Sequence, residues 1–195
     1  MKPMLDEKIL VVKRSLLFTH QAPWQGIDHA CTESIVKTII QDQEYIPRSL
    51  AEIDTQYKQI IPYMIFTHNN LYFVMERKAT ASEQRLAGKL SLGIGGHMRK
   101  EDMQGQTIFD WAQREFTEEV SYKGNLTIKT LGILNDDSDA VGLVHLGIIM
   151  LAEGDNDQIS IKDEHKQGIL LSKDQCLEKL NQFENWSKYT LKLLK

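Results

Sequence analysis

Cysteine is scarce in this 195-residue chain and basic residues are not in surplus; each shortage narrows what the protein can be. Cys31 and Cys176 are too few and too far apart in sequence for a zinc site or a disulfide framework, and only a bridge between the two stays open at this level. So few thiols fit a reducing compartment. Lys and Arg number 23 against 27 Asp and Glu, a formal net charge of -4, and the basic residues are scattered. That leaves no footprint for gripping a nucleic-acid backbone, so a small phosphate ester is the expected partner and a polymer is not. Long apolar runs are missing too. The longest, from Ala140 to Ala152, is interrupted by His145 and falls far short of a membrane span. The first residues, Met1-Lys2-Pro3-Met4-Leu5-Asp6-Glu7-Lys8, lack an apolar signal core, so a cytoplasmic protein with no membrane partner is expected. No internal repeat or low-complexity segment is present. With 42% hydrophobic residues the chain has enough for one good core, hence one principal domain.

What the chain does have is Arg114-Glu115-Phe116-Thr117-Glu118-Glu119, three carboxylates within five residues. Thr107 followed by Asp110 reads as a capping box, and Phe109, Ala112, Phe116 and Val120 form an apolar stripe, so the spacing predicts a helix. Glu115, Glu118 and Glu119 then share one face at i, i+3 and i+4. Like charges at that spacing repel, which a purely structural helix avoids by alternating with Lys. A solvated acidic face is the plain reading of the six residues alone; a cation held against them is the functional one.

The residues upstream favour the second. Ser91-Leu92-Gly93-Ile94-Gly95-Gly96-His97 is a short apolar strand breaking into glycines, whose bare backbone N–H groups could admit a phosphate chain. Strand, glycine loop and acidic helix in series resemble the Nudix box, G-x5-E-x7-R-E-U-x-E-E-x-G-U with U aliphatic, of the MutT-like Nudix hydrolases. Gly96 matches the box glycine, Arg114 and Glu115 the R-E, Phe116 the bulky apolar position, and Glu118 and Glu119 the E-E. The match has departures. Gly96 lies eighteen positions before Arg114 where the family has fourteen, so the intervening loop carries four extra residues. The first box glutamate falls on Asp102 counted from the glycine and on Gln106 counted from the arginine, and Ser121 replaces the closing glycine. The stretch from Tyr45-Ile46-Pro47-Arg48 to His97, and Val141-Gly142-Leu143-Val144-His145-Leu146-Gly147, also look like a poorly characterised Nudix subgroup with a lengthened box.

The resemblance implies an α/β/α sandwich with a mixed sheet over residues 46–195, preceded by a small α/β extension over 1–45 packed on it. It implies hydrolysis of the diphosphate linkage of a nucleoside diphosphate derivative or related small organic pyrophosphate. Glutamate oxygens suit Mg²⁺ or Mn²⁺, which would polarise the phosphoryl group and activate water. By family carry-over Glu115, Glu118 and Glu119 are the metal ligands, Glu118 and Arg114 serve catalysis, and the backbone at Gly95 and Gly96 approaches the cofactor and diphosphate. Arg114 would orient the glutamates through charge-assisted hydrogen bonds, against the alternative of a surface ion pair. A further base is expected in Asp163-Glu164-His165, with Glu164 the single choice and Asp136-Asp137 the rival. His97 and His145 stay outside the metal set, as family string and pocket-wall or core histidine respectively, and Trp111 is expected in the core. Two other classes compete: a Nudix-fold nucleotide sensor without turnover, and an isomerase like isopentenyl-diphosphate isomerase, for which the cysteines are badly placed. The amino-terminal extension and the enlarged loop, Met98 to Gln106, are expected to set selectivity or to build a homodimer interface.

Along the rest of the chain the pattern predicts a strand from Ile9 to Phe18 and a helix from Thr32 to Ile40 with Thr32 as its N-cap. A hairpin is expected from Ile60–Thr67 and Leu71–Met75 around His68-Asn69-Asn70. Further strands are expected at Leu90–Ile94, Leu126–Leu134, Val141–Leu151 and Gln158–Ile161. Ser172 with Gln175 opens a carboxy-terminal helix, and a second helical segment runs from Trp186 to Leu194.

Overall fold

The computed structural model describes residues 6–77, 88–103, 107–162 and 165–194. Its first elements are β1 (Lys8–Lys13), α1 (Arg14–Leu17), β2 (Gly26–Asp28), α2 (Thr32–Asp42), β3 (Glu44–Pro47), α3 (Arg48–Ala51), β4 (Tyr57–His68) and β5 (Leu71–Arg77). There follow β6 (Leu90–Ser91), β7 (Gly93–Ile94), α4 (Ile108–Glu119), β8 (Val120–Tyr122), β9 (Leu126–Asn135), β10 (His145–Gly154), β11 (Ile159–Ile161), β12 (His165–Ser172), α5 (Lys173–Glu178) and α6 (Asn185–Leu193). The class is α/β, as expected: several helices and a large mixed sheet with the strand order β12-β5-β4-β10-β9-β2, while β8 and β11 pair separately. The chain divides into two compact units, one of Met1–Pro62, Gly96–Trp111 and Leu131–Ile148, the other of Tyr63–Gly95, Ala112–Thr130 and Ile149–Lys195.

In the first unit β1 runs antiparallel to β3, with Leu10 opposite Tyr45, and to β4, with Val12 opposite Lys58. Ile9 and Val11 project into a small core with Ala51, against which Ile46 and Tyr57 pack. The strand is shorter than the apolar run predicts. Its last pairing is Lys13 with Tyr57, after which the Arg14 N–H turns to the Gln56 carbonyl (2.7 Å) and the chain coils into α1. Helix α2 begins at Thr32 with Cys31 as its N-cap, one residue before the expected cap, and continues to Asp42. The predicted strand from Val141 also starts late. Asp139 Oδ1 accepts the N–H groups of Val141 (3.0 Å) and Gly142 (2.8 Å), drawing 142–144 into a 3-10 turn from which β10 emerges at His145. Gly142 is required there, because a Cβ would lie 1.5 Å from the Asp136 carbonyl oxygen.

In the second unit β4 and β5 form the expected hairpin, closing at Thr67–Tyr72 and His68–Leu71. Asn69 and Asn70 have φ of 48° and 61°, the left-handed pair that a two-residue turn demands and that Asn tolerates. β5 pairs β12 along its length and β6 at its far end. The predicted strand Leu90–Ile94 breaks at Leu92, whose N–H leaves the ladder for Ser187 Oγ (2.9 Å). β7 resumes against β4, with Met64 opposite Ile94, and Gly93 lets Tyr63 pass, its absent Cβ lying 2.0 Å from the ring. Ser172 caps α5 with the reciprocal Gln175 bonds anticipated from the letters. The two cysteines are buried free thiols, and burial, helped at Cys31 by Asp28, pushes each up to about 11. Among the described residues no helix is long and apolar enough to cross a membrane.

Candidate active site

The acidic helix forms where its spacing places it, as α4. Thr107 N–H and Oγ1 both donate to Asp110 Oδ2 (2.9 and 2.7 Å) and Asp110 N–H donates back to Thr107 Oγ1 (3.2 Å), so the helix starts on a closed capping box. Its apolar side is rotated slightly from the expected stripe. Trp111, Ala112, Phe116 and Val120 are buried, whereas Phe109 is 43% exposed. Phe116, in the bulky box position, stacks on Phe66 at 6.1 Å between centroids and meets Tyr122 edge-on at 6.3 Å; Tyr122 in turn meets Phe66 at 5.0 Å. Burying such a ring contributes about 2–3 kcal/mol, enough to fix the roll of the helix.

With that roll fixed, Glu115 and Glu119 are half-buried and Glu118 is exposed. Arg114 Nη1 donates to Glu118 Oε1 one turn on, an i,i+4 ion pair. The far end of α4 is tied to the strand beyond. β8 follows at once and pairs β11, with Val120 opposite Ile161, after which Lys162 N–H donates to the Glu119 carbonyl (3.1 Å) and Lys162 Nζ to the Thr117 carbonyl. A cation on the last carbonyls of a helix also complements its dipole. Glu164, two positions later, lies outside the described residues, as do Asp163 and Gln106 and the side chains of Asp102 and His165. Gly95 and Gly96 follow β7 as half-buried irregular backbone. Three glutamates on one helical face are hard oxygen donors, and that donor set fits Mg²⁺ or Mn²⁺.

The rival carboxylates have other work. Asp136 Oδ1 accepts from Gln25 Nε2 (3.2 Å) and the Ser138 N–H (3.1 Å). Asp137 accepts from Arg14 Nη1 (3.2 Å) and Nη2, and from Lys58 Nζ (2.7 Å). Lys58 has no exposed surface, and its ammonium also donates to the carbonyls of Gly142 (2.6 Å) and His145 (3.1 Å). Burial depresses the Lys58 pKa, with Asp137 opposing. Burial also resists ionisation of Asp137, yet the bonds from Arg14 and Lys58 outweigh it and bring that carboxyl to about 2.

A second constellation lies within the first unit. His97 Nε2 is 3.3 Å from His145 Nε2 and 3.9 Å from Glu52 Oε1, and the three ligand atoms all lie within 4.8 Å of one another. His145 is buried and His97 nearly so, at 12% side-chain exposure, while Glu52 is 39% exposed. Burial, with Arg48 and His145 adding, lowers His97 to about 3, so its imidazole is neutral. The sequence pattern presents the two histidines singly and gives Glu52 no mark. No periodicity joins positions 52, 97 and 145; the bond from Leu10 N–H to the Met98 carbonyl (2.8 Å) and the Ile9–Arg99 bridge, which tie β1 to the residues after His97, start to bring them together.

No family model matches the chain. Protein YmaB of Bacillus subtilis (strain 168) is 31% identical over 204 aligned residues, which span 97% of this chain and 98% of that protein. The crystal structure of Tm1382, a candidate Nudix hydrolase, matches with a TM-score of 0.81 at 28% identity, covering 96% of this chain and 98% of that one. The Nudix domain of Shewanella oneidensis NrtR, solved with ADP ribose, matches with a TM-score of 0.52 at 11% identity over 70% of this chain and 84% of that one, a likeness of fold. Fold and box together define a pyrophosphohydrolase scaffold. The chain belongs to the Nudix hydrolase family, and it shares nearly its whole length with YmaB.

Proposed function

We propose that the protein is a metal-dependent hydrolase that cleaves the diphosphate linkage of a nucleoside diphosphate derivative, or a related small organic pyrophosphate, by attack of water at phosphorus. The observation that carries this reading is the single face of α4, where Glu115, Glu118 and Glu119 stand together and Arg114 is bonded to Glu118. Glu115, Glu118 and Glu119 would hold Mg²⁺ or Mn²⁺ through their Oε atoms. Bound there, the ion supplies Lewis acidity toward phosphoryl oxygens and a lowered pKa for water. Arg114 holds the Glu118 carboxylate in orientation. Glu164, outside the described residues, would take the proton of the attacking water at an Oε atom. The N–H groups of Gly95 and Gly96 receive diphosphate oxygens. We read residues 46–195 as the hydrolase domain and 1–45 as an extension whose strand β1 pairs with β4. A cytoplasmic enzyme acting on a small nucleotide, not on a polymer or at a membrane, fits the acidic balance.

The test is phosphate-coupled hydrolysis of a panel of nucleoside diphosphate derivatives, with Mg²⁺ or Mn²⁺, by the wild type and by folded Glu118→Gln and Glu119→Gln variants. Turnover of a panel member that falls at least ~100-fold in the variants is expected. Ligands that bind and raise the melting temperature without any turnover would replace the hydrolase by a sensor.

A further inference from the structure

We propose that Glu52, His97 and His145 form a binding site for a divalent transition-metal ion of the zinc class, made of different residues from the α4 carboxylates and independent of the hydrolase reading. The spacing argues for it first. Two imidazole nitrogens each about 2.0–2.1 Å from a tetrahedral ion lie about 3.3 Å apart. The two Nε2 atoms are 3.3 Å apart. Glu52 Oε1 lies 3.9 Å from His97 Nε2, with all three ligand atoms within 4.8 Å of one another, so it is placed to take the third corner, and the side chain is exposed enough to turn toward it.

The tautomer argues second. His145 Nδ1 lies 2.8 Å from the Val141 carbonyl oxygen, which can only accept. Nδ1 therefore carries the hydrogen and Nε2 directs a lone pair toward His97, the arrangement in which a carbonyl behind the ring orients a metal-ligating imidazole. Hydrogen bonds hold the backbone frame around the three residues. Lys58 Nζ holds the His145 and Gly142 carbonyls, the Met98 carbonyl beside His97 is bonded to β1, and α3 is fixed by Gln59 Nε2, which donates to the Ala51 carbonyl at 3.1 Å. Three neighbours of such a frame supply two borderline nitrogens and one carboxylate oxygen, a donor set that selects Zn²⁺, Co²⁺ or Fe²⁺ over Mg²⁺. Arg48 Nε, 3.4 Å from the same Glu52 Oε1, holds that carboxylate beside the two imidazoles.

The full chain, stripped with a chelator, is titrated with Co²⁺ alone, the visible bands are followed, and Zn²⁺ is then added to displace it. Wild type is expected to develop bands with one equivalent of Co²⁺ and to lose them to Zn²⁺. His97→Gln and His145→Gln should lower the affinity at least ~10-fold, and a Glu118→Gln/Glu119→Gln double variant should keep it. Glu52→Gln, at an exposed position, guards against loss by misfolding and should weaken Co²⁺ binding while leaving the circular dichroism unchanged. Absence of bands in wild type, bands unaltered in His97→Gln, or bands lost only in the α4 double variant would each overturn the assignment; the last result would still leave the α4 ligands standing.

Discussion

Asp137→Asn is expected to destabilise the chain by about 2–3 kcal/mol at neutral pH. Lys58 is fully buried and spends its three N–H donors on Asp137 Oδ1, the Gly142 carbonyl and the His145 carbonyl. Neutralising Asp137 leaves an ammonium beside two uncharged carbonyls and takes the counter-charge from Arg14 as well. Removing one partner of a buried pair costs about 3–5 kcal/mol. The lower side applies because Asn keeps an acceptor oxygen and Asp137 is 25% exposed. Titration gives a second route to the figure. The folded carboxyl sits at about 2 against an ordinary 3.8. Because the unfolded chain takes up this proton first, the stabilisation is complete above about pH 4 and is lost as pH falls through about 2. A gap of that width corresponds to roughly 2.5 kcal/mol, or about 2 once allowance is made for the exposed quarter. Urea unfolding followed by circular dichroism should show the wild-type advantage over Asp137→Asn shrinking steadily between pH 5 and pH 2, and at neutral pH a melting temperature lower by roughly 4–12 °C. A variant within about 0.5 kcal/mol of wild type at neutral pH, or a difference that ignores pH, would refute the reasoning.

Gly142→Ala puts a Cβ 1.5 Å from the Asp136 carbonyl oxygen, a backbone atom that cannot swing aside, so soluble yield should collapse or the melting temperature fall by more than with Asp137→Asn; an unchanged melting curve would contradict the turn as described. Tyr63→Phe deletes a buried hydroxyl lying 2.6 Å from Glu184 and 2.7 Å from Ser187. Since Glu184 and Ser187 stay bonded to each other, the loss in urea unfolding should be limited to about 1–2 kcal/mol.

Local chemistry was what the letters carried best. The Thr107 and Ser172 boxes close as read, the Asn69-Asn70 turn takes the left-handed backbone that Asn tolerates, and the box carboxylates stand on a helix. Each of those depends on residues within four positions of one another. What was not legible depends on distant partners. Leu90–Ile94 reads as one strand, and nothing nearby says that Ser187 will draw off the Leu92 N–H or that Glu184 N–H will bond the Leu90 carbonyl (3.0 Å). Ile9–Phe18 reads as one strand because its apolar residues continue past Lys13, where β4 ceases to offer partners. Trp111 is buried as read, but Phe109 of the expected stripe is left exposed for a related reason: a helix records its apolar arc but not which edge of that arc will be covered.

The same distinction explains why Asp136-Asp137 looked like a catalytic rival. Two adjacent carboxylates in a loop after a strand carry no local mark of whether they face substrate or a buried cation. Asp137 faces Lys58, which was invisible as a partner because it sits in an apolar strand 79 positions away. Its ammonium bonds the carbonyl of His145 itself, while His145 Nδ1 bonds the carbonyl of Val141, so one buried charge fixes both the path of the 3-10 turn and the direction of the ring that leaves it. A lysine replaced by an apolar residue of equal length could fill the same space, but it would take the ammonium donor from the Gly142 and His145 carbonyls, leaving the Gly142 carbonyl with the His145 N–H. Besides the stability that Asp137 contributes, the buried ion pair thus helps to hold one conformation, the one that points His145 Nε2 at His97.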